Sequence, residues 1–305
     1  MIRRLRGFEY RDPTSMEEAI GLFEEYGLKC RVVGGGTDLL VAMKEGRVSA
    51  PPCVVSLRKI PGISGIVMDE GRGVVTVRAG TTISELVESP VIRSRVPLLM
   101  EAGRVLGSPQ VRNRATLGGN ICNASPAADM VLPLIAYGAT GRWRGPEGKK
   151  SGLVEAFFRG PGSTVLKAGE FLWEVEIPLG GAEGMGVYRK LGKRKGMEIA
   201  IVNVAVLVGI SSEGTCRRAR IVLGSVSPTA MRARGAEAHL VGKGLTAEVM
   251  GEAGKEAAKE CKPISDLRAS GEYRREMVEV LVRRSLEEIQ RRQGEGGEGK
   301  REHEA

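Results

Sequence analysis

Residues 115–129 read ATLGGNICNASPAAD, and this stretch limits the possible folds of the chain more than any other. Its glycine pair, two asparagines and small hydroxyl residues can fill little of a hydrophobic core, although apolar segments flank it. Glycine adopts backbone torsion angles that other residues avoid, and it allows a ligand to approach the main chain. Asx and Ser turns would instead make the stretch a long surface connection. The stretch alone leaves both interpretations open.

A second glycine loop, VVGGGTDLL at residues 32–40, follows a short predicted strand and precedes a predicted helix. The free N–H groups and the positive end of a helix N-terminus favour an anion there. The dinucleotide pattern GxGxxG is not met, because Leu39 stands in the third glycine position, and the GxxxxGK[ST] nucleotide loop does not occur. Two glycine loops supply the converging donors of a diphosphate site better than one. A dinucleotide ligand and a pair of tight turns therefore remain alternatives.

The charged and metal-binding residue types exclude several functions. Lys and Arg number 46 against 37 Asp and Glu, but basic clusters such as Arg217–Arg220 lack interleaved aromatic residues or a predicted reading helix. We therefore expect no nucleic-acid binding, and we interpret the clusters as a solvated surface or as contacts with acidic partner subunits. The chain has 5 cysteines, scattered along the sequence, and 2 histidines. This scarcity argues against zinc, iron–sulfur and Ser-His-Asp sites and favours a bound organic cofactor or a partner chain.

The sequence also carries no sign of a membrane segment. No stretch approaches the roughly 20 consecutive apolar residues that span a bilayer. The first residues, MIRRLRGFEYRDP, are basic, but the apolar run of a secretory signal does not follow them. We therefore expect a cytoplasmic protein without a membrane span.

The pattern of predicted elements indicates an α+β fold, because a set of strands is followed by a run of helices. Ser15–Glu18 has the pattern of a capping box, and the apolar stripe behind it predicts a helix over 15–26. Glycine and proline between 178 and 184 predict an inter-domain linker. Further helices are predicted at 82–88, 97–106, 130–137, 230–242, 246–261 and 271–292. Strands are predicted at 30–33, 53–57, 63–68, 73–78, 139–144, 165–177, 199–210 and 220–223.

Four segments of the chain resemble one protein family, the FAD-binding medium subunits of the molybdenum hydroxylases, the group of carbon monoxide dehydrogenase and xanthine dehydrogenase. They are VGGGTDLL (33–40), SPQVRNRATLGGNICNASPAADMVLPLIAYGA (108–139), YRKLGKRKGMEIAIVNVAV (188–206) and ISDLRASGEYRREMVEVLVRR (264–284). The resemblance implies an α+β FAD-binding domain at 1–178, similar to the vanillyl-alcohol-oxidase (PCMH) type, with subdomains at about 1–57 and 58–178. A smaller α+β domain, a small antiparallel sheet with helices, would follow at 179–292. The Gly/Glu/Lys-rich residues 293–305 predict a disordered tail.

The resemblance also implies a site for non-covalently bound FAD, with the diphosphate between the two glycine loops. Asp129 would reach polar groups on the adenosine side, Leu106 and Leu172 would contact the flavin, and Lys190 would lie near the cofactor. No catalytic residue and no metal ligand is implied. The cofactor-binding residues carried over by matching position are Val33, Gly34, Gly35, Gly36, Thr37, Asp38, Leu39, Leu106, Thr116, Leu117, Gly118, Gly119, Asn120, Asp129, Leu172 and Lys190.

By the same resemblance the chain is a flavin-bearing electron-transfer subunit of a heteromeric oxidoreductase. A large partner subunit would carry the molybdenum cofactor and a small one the [2Fe-2S] clusters, in a dimer of heterotrimers, and FAD would pass the electrons to an external acceptor. A stand-alone flavin-dependent oxidase or reductase, or a cofactor-free assembly protein of the same fold, are the alternatives. The basic segment Lys193–Lys195 is hypothesised to favour the negative charge of reduced flavin or to guide an acidic acceptor, with a solvated loop as the alternative.

Overall fold

The strands of the described chain form four sheets, between which helices are inserted at irregular intervals. The computed structural model describes residues 7–180, 184–194 and 196–301, with side chains up to Glu295. This architecture confirms the predicted α+β class. Part of the predicted linker, residues 181–183, lies outside the described residues.

A parallel sheet forms the N-terminal part of the chain. Its strands are β1 (Glu9–Arg11), β2 (Cys30–Val33) and β3 (Cys53–Ser56), and the helices between them are α1 (Met16–Tyr26) and α2 (Leu39–Glu45). The Ser15 hydroxyl caps α1 by accepting a hydrogen bond from the N–H of Glu18 at 3.1 Å, as its capping-box pattern predicts. The buried strand β3 lies between β1 and β2, with Ser56 opposite Val33. Since β2 and β3 are parallel, the residues that follow each of them lie at one edge of the sheet.

An antiparallel sheet with the order β4-β5-β10-β6-β7 forms the second part. Its strands are β4 (Ile66–Asp69), β5 (Val74–Arg78), β6 (Thr140–Gly145), β7 (Gly148–Leu153) and β10 (Phe171–Pro178), and the strands β8 (Phe158–Gly160) and β9 (Ser163–Thr164) form a separate small hairpin. The helices of this part are α3 (Ile83–Glu88), α4 (Pro90–Arg95), α5 (Pro97–Arg104), α6 (Pro109–Arg112), α7 (Leu117–Cys122) and α8 (Val131–Tyr137). The predicted helix at 130–137 is thus α8, and its glycine C-cap, Gly138, has a φ of +73°.

The C-terminal part is a second antiparallel sheet covered by helices. Its strands are β11 (Met185–Leu191), β12 (Val202–Ile210), β13 (Cys216–Gly224) and β14 (Met231–Arg232), and its helices are α9 (Arg234–Leu240), α10 (Ala247–Glu260) and α11 (Gly271–Arg301). The sequence predicts β12, the core of β13 and all three helices, but not β11. Helix α11 continues to Arg301, beyond the predicted helix end at 292, and residues 302–305 lie outside the described residues, so the disordered tail stays a prediction. Arg291 pairs with Glu295 at 2.6 Å, an i,i+4 contact of the kind that extends a helix.

The sheets pack on apolar clusters that partly cross from one to another. Phe171 and Trp173 of β10 pack into the cluster below the parallel sheet, and Leu207 and Val222 of the C-terminal sheet join the cluster of the second part. We propose domain boundaries at 57 and 178 on the basis of the three sheets, with 179–292 as the C-terminal domain. Within the described residues, no helix is both long enough and apolar enough to cross a membrane.

Candidate functional site

The two glycine loops pack directly against each other. The first loop, residues 34–38, connects β2 to α2, and the second, residues 114–119, leads into α7. A Cβ atom on Gly34 would lie 2.6 Å from Oγ1 of Thr116, and one on Gly35 would overlap the carbonyl oxygen of Arg114. Glycine is therefore required at both positions, because any side chain would push the loops apart.

The second loop is anchored to the end of strand β5 by its own backbone. The N–H of Leu117 donates to the Thr81 carbonyl at 2.9 Å, and the N–H of Gly118 donates to the Ala79 carbonyl at 2.8 Å. A Cβ atom on Gly118 would lie 2.7 Å from the Cβ of Ala79, so this glycine is enclosed by protein. A Cβ atom on Gly119 would approach only the Thr116 hydroxyl, at 3.0 Å. Gly119 is therefore the glycine of this loop that borders open space.

The donors of the two loops are used differently. In the second loop, Thr116 caps α7 by accepting from the N–H of Gly119 at 3.0 Å. In the first loop, the backbone N–H groups from Gly35 to Asp38 donate to no acceptor within the described part of the chain. Gly36 has a φ of +76°, a left-handed conformation that glycine adopts without strain. The first loop thus presents a row of free donors, as an anion site requires.

A cleft of about 280 Å³ lies where the loops meet, and we name it the loop cleft. The loops and strand β10 border it, and Leu172 contributes an apolar wall from β10. The predicted site residues that line the cleft are Val33, Gly34, Thr116, Gly118, Gly119 and Leu172. The other predicted residues of these segments do not line the cleft: Gly35, Gly36, Thr37 and Asp38 lie in the first loop, Leu39 begins α2, and Leu117 and Asn120 lie in α7.

The sequence-based prediction missed many residues of the loop cleft, among them the polar residues Arg58, Ser64, Thr82, Glu85 and Glu170. The carboxylate of Glu85 is already engaged in the capping box of α3, where it accepts a hydrogen bond from the N–H of Thr82 at 2.7 Å. Arg58 is the basic residue of the lining, and within the described residues its side chain makes no ion pair. It follows β3, so it lies at the sheet edge that carries the first loop. A prediction that β2 and β3 are parallel neighbours would have revealed Arg58.

Three predicted site residues form a second, buried group. The Lys190 ammonium donates to Oδ2 of Asp129 at 2.9 Å and to the Val105 carbonyl at 3.3 Å, which places Leu106 beside it. The Tyr188 hydroxyl donates to Oδ1 of Asp129 at 2.6 Å. The side chains of Lys190 and Asp129 are only 5% and 8% exposed, so this is an interior ion pair. We name Asp129, Tyr188 and Lys190 the buried triad.

The buried triad changes the interpretation of Asp129. Both of its carboxylate oxygens are engaged by the chain itself, and burial raises the pKa of the group while Lys190 and Tyr188 oppose that rise. Asp129 does not cap the helix that follows it, because Met130 is the N-cap residue of α8 and makes no side-chain cap bond. The adenosine-side contact of Asp129 stays a prediction.

Asn120 connects the buried triad to the helix that follows the second loop. Its side-chain oxygen accepts a hydrogen bond from the N–H of Met130, the residue after Asp129, at 3.3 Å.

The basic segment after Lys190 is held by neighbouring backbone. The Lys193 ammonium donates to the Leu267 carbonyl at 2.8 Å, and the Arg194 guanidinium donates to the Met197 carbonyl. Lys195 lies outside the described residues. Lys193 and Arg194 are therefore partly anchored, which limits their freedom to reach a cofactor.

The cysteines of the described chain form no metal site. No group of three or more potential ligands among His, Cys, Asp and Glu occurs within the described residues. Cys122 lines the loop cleft, but burial raises the pKa of its thiol to about 12, so it stays protonated near neutral pH. In this environment Cys122 is a small neighbour of the cleft and not a nucleophile.

Both halves of the chain match domain families of molybdenum-containing dehydrogenases. Residues 6–180 match the family described as "FAD binding domain in molybdopterin dehydrogenase", and residues 187–289 match the "CO dehydrogenase flavoprotein C-terminal domain". The carbon monoxide dehydrogenase medium chain of Hydrogenophaga pseudoflava is 36% identical over 280 residues, which are 92% of this chain and 96% of that protein. The glyceraldehyde dehydrogenase medium chain of Sulfolobus acidocaldarius is 30% identical over 92% of this chain and 98% of its own length.

A solved structure agrees with the sequence matches. It is the carbon monoxide dehydrogenase from Hydrogenophaga pseudoflava that lacks the Mo-pyranopterin moiety of its cofactor. The superposition has a TM-score of 0.90 at 34% identity and covers 95% of this chain and 99% of that one. Both domains are thus present in the same arrangement as in that protein. The chain therefore belongs to the family of FAD-binding medium subunits of the molybdenum hydroxylases.

Proposed function

We propose that this chain is the flavin-bearing electron-transfer subunit of a heteromeric molybdenum hydroxylase and that it binds the FAD diphosphate at the loop cleft. The observation that carries the assignment is the meeting of the two glycine loops at one cleft, which Gly34 and Gly119 line, together with the unpaired N–H donors that follow Gly34 in the first loop, from Gly35 to Asp38. When bound, FAD supplies the electron-transfer chemistry.

The residues of the loop cleft fit such a cofactor. Diphosphate oxygens accept hydrogen bonds, and the first loop offers donors that the chain does not use. Arg58 adds a positive charge at the same sheet edge, which favours the negative diphosphate. Leu172 offers an apolar surface to the cofactor. The 16 residues predicted from the family pattern are proposed as the binding set, with Arg58 as an addition.

The buried triad supports a distinct task for Asp129 and Lys190. The pair lies between the segment around Leu106, in the FAD-binding domain, and strand β11 of the C-terminal domain. We propose that the pair fixes the two domains to each other beside the bound cofactor. The chain would work beside a molybdenum-cofactor subunit and a [2Fe-2S] subunit, as a dimer of heterotrimers in the cytoplasm.

Replacement of Gly119 by Val tests the assignment of the loop cleft. Valine keeps the N–H that bonds to Thr116, and its side chain enters the cleft with a single close contact to that hydroxyl. We expect FAD affinity to fall at least about tenfold, which corresponds to about 1.4 kcal/mol. The thermal stability of the FAD-free chain should stay within about 1 kcal/mol of wild type. The measurements are the FAD-to-protein ratio after gel filtration and the Tm without FAD.

The control is Gly21→Val in helix α1, where a Cβ atom would meet nothing within 4 Å. This variant should retain FAD like the wild type. A Gly119→Val protein with unchanged FAD content would contradict the cleft assignment. A wild-type chain that takes up no FAD would favour a cofactor-free assembly protein, and one that oxidises an organic donor without partner subunits would favour a stand-alone flavin enzyme.

A further inference from the structure

Five arginines gather on the C-terminal domain, away from the glycine loops. Three of them, Arg217, Arg218 and Arg220, lie on strand β13, Arg232 is on β14, and Arg234 begins α9. Together they line an open depression of about 390 Å³, which we name the arginine basin. The sequence shows the cluster Arg217–Arg220 as basic, but only the fold adds the other two.

The carboxylates of the arginine basin neutralise only part of this charge. Glu237 accepts from Nε of Arg232 at 2.9 Å and is buried, and Glu155 pairs with Arg234 at 2.5 Å. Within the described residues, no carboxylate lies within 4.0 Å of Arg217, Arg218 or Arg220. The basin therefore holds five guanidinium groups against two carboxylates that are already paired.

Sheet geometry places these charges close together. Arg218 and Arg220 are two residues apart on β13, so they lie on one face at a spacing of about 7 Å. Arg232 pairs with Val222, the next residue on that face. Burial together with the positive charges of Arg232 and Arg218 lowers the pKa of Arg220. Glu237 and Glu155 therefore offset the repulsion between these groups only in part.

The arginine basin lies at the seam between the two domains. Leu207, opposite Arg220, and Val222, two residues beyond it, belong to the core cluster of the FAD-binding domain. Glu155, which pairs with Arg234, lies in the FAD-binding domain as well. A protein surface that covers the basin would thus contact both domains at once.

We propose that the arginine basin receives a carboxylate-rich segment of a partner subunit. The inference rests on the proposed function, because that function requires a heteromeric complex. Guanidinium groups bind carboxylates through paired hydrogen bonds, and arginine is enriched in the cores of protein interfaces. The lining contains no aromatic residue on which nucleic-acid bases could stack. The basin is also open to solvent, which suits a protein segment better than an enclosed small anion.

The test is assembly of the full-length chain with its separately purified partner subunits, measured by sedimentation at increasing NaCl concentration. The double variant Arg218→Glu/Arg220→Glu places carboxylates where the partner's carboxylates would bind. We expect its assembly affinity to fall at least tenfold at low salt and to vary less with salt than that of the wild type. The neutral variant Arg220→Gln should give a smaller loss in the same direction.

The matched control is Arg93→Glu/Arg284→Glu, which makes the same charge change at exposed positions on helices α4 and α11. It should assemble like the wild type. Equal losses in both double variants would assign the effect to net charge and overturn the proposal, and so would unchanged assembly of both basin variants. FAD content and Tm verify that the variants are folded. If Gly119→Val kept its FAD while the basin variants lost assembly, the cleft assignment would be refuted and this inference would stand. The failures of the two proposals are therefore distinguishable.

Binding probes separate the basin from other anion sites. Poly-L-glutamate should compete with the partner subunits for the wild-type chain but not for Arg218→Glu/Arg220→Glu. Competition by single-stranded DNA or by inorganic phosphate alone, at equal concentrations of charge, would assign the basin to a different ligand and overturn the proposal.

Discussion

At the scale of single residues, the glycines of the site are needed for different structural reasons. Gly35 is required because the backbone of Arg114 fills the place of its side chain. Gly118 is required because Ala79 of the strand end packs against it. A Cβ atom on Gly119 would meet only the Thr116 hydroxyl, so the chain itself leaves room for a side chain there. A requirement for glycine at 119 would therefore come from the ligand, whereas the other two are needed for the fold.

The replacement Gly35→Ala separates these reasons. The added methyl group would overlap the Arg114 carbonyl, so the two glycine loops must move apart. We expect a loss of about 2 kcal/mol in the free energy of unfolding, together with loss of FAD. Denaturant unfolding without FAD measures the first effect. Gly251→Ala in helix α10, where a Cβ atom meets nothing within 4 Å, is the control and should stabilise the chain by about 0.5–1 kcal/mol. A stable, FAD-free Gly35→Ala protein would show that the loops are not in tight contact.

At the scale of elements, helix α11 is fixed to the C-terminal sheet by one buried arginine. The Arg274 guanidinium donates to the Ile201 carbonyl at 2.6 Å, to the Ser225 carbonyl at 3.1 Å and to Asp266 at 2.7 Å. Arg274 is 3% exposed, so these three acceptors together offset the free energy that its charge loses when it is removed from water. This arrangement ties the start of α11 to the residues that lead into and follow the central strands β12 and β13.

Asp266 gives this anchor a dependence on pH. Burial opposes its ionisation, but hydrogen bonds from the Arg268 backbone and from the Arg274 and Arg268 side chains hold the pKa of Asp266 at about 2. A depressed carboxyl pKa stabilises the fold above the unfolded value of about 3.9, and this stabilisation is lost as the pH falls towards 2.

Asp266→Asn should therefore lower the free energy of unfolding by about 1 kcal/mol at pH 6, a modest value because solvent screens part of the interaction. At pH 2.5 the loss should be much smaller, because the carboxyl group of the wild type is then close to its folded-state pKa. Urea unfolding at the two pH values measures the difference. Glu213→Gln removes an exposed carboxylate that has no ion pair within the described residues, and it serves as the control. An equal cost of Asp266→Asn at both pH values would rule out the ionic contribution.

At the scale of the whole molecule, the two domains share a continuous core. A Cβ atom on Gly186 of β11 would lie 3.2 Å from the side chain of Leu98 in α5, and one on Gly224 would lie 3.0 Å from that of Leu132 in α8. Tyr188 extends the contact by reaching Asp129 across the boundary. Contacts of this kind couple the unfolding of the domains, because neither can open without exposing apolar surface of the other.

Calorimetry of the full chain should accordingly show one unfolding transition. FAD at about 100 times its Kd should add about 2.7 kcal/mol and raise the Tm by roughly 5 °C, because the ligand binds only the folded state. Riboflavin, which lacks the diphosphate, serves as the control ligand and should raise the Tm less. Two separate transitions, only one of them shifted by FAD, would contradict the shared core.

Some elements and site residues could be predicted from the sequence, and others could not. Ser15 and the apolar stripe of α1 are local patterns, and the helix follows from them directly. The family motifs likewise identify the two loops, Asp129 and Lys190. Strand β11 was not predicted, because its sequence alternates weakly and pairing with β12 decides its conformation. The helical extension to Arg301 was not predicted either, because composition alone does not reveal the continuation of a helix that is already nucleated.

The sequence by itself determined the α+β class, most helices, the two glycine loops and the family of the chain, because these depend on neighbouring residues and on motifs. Only the tertiary structure decided that the first loop keeps its N–H donors free while Thr81 and Ala79 use those of the second. It also decided that Asp129 pairs with Lys190, 61 positions away, and that separate strands bring the arginines of the basin together. Such contacts join residues that are distant in sequence, and they depend on how whole elements pack.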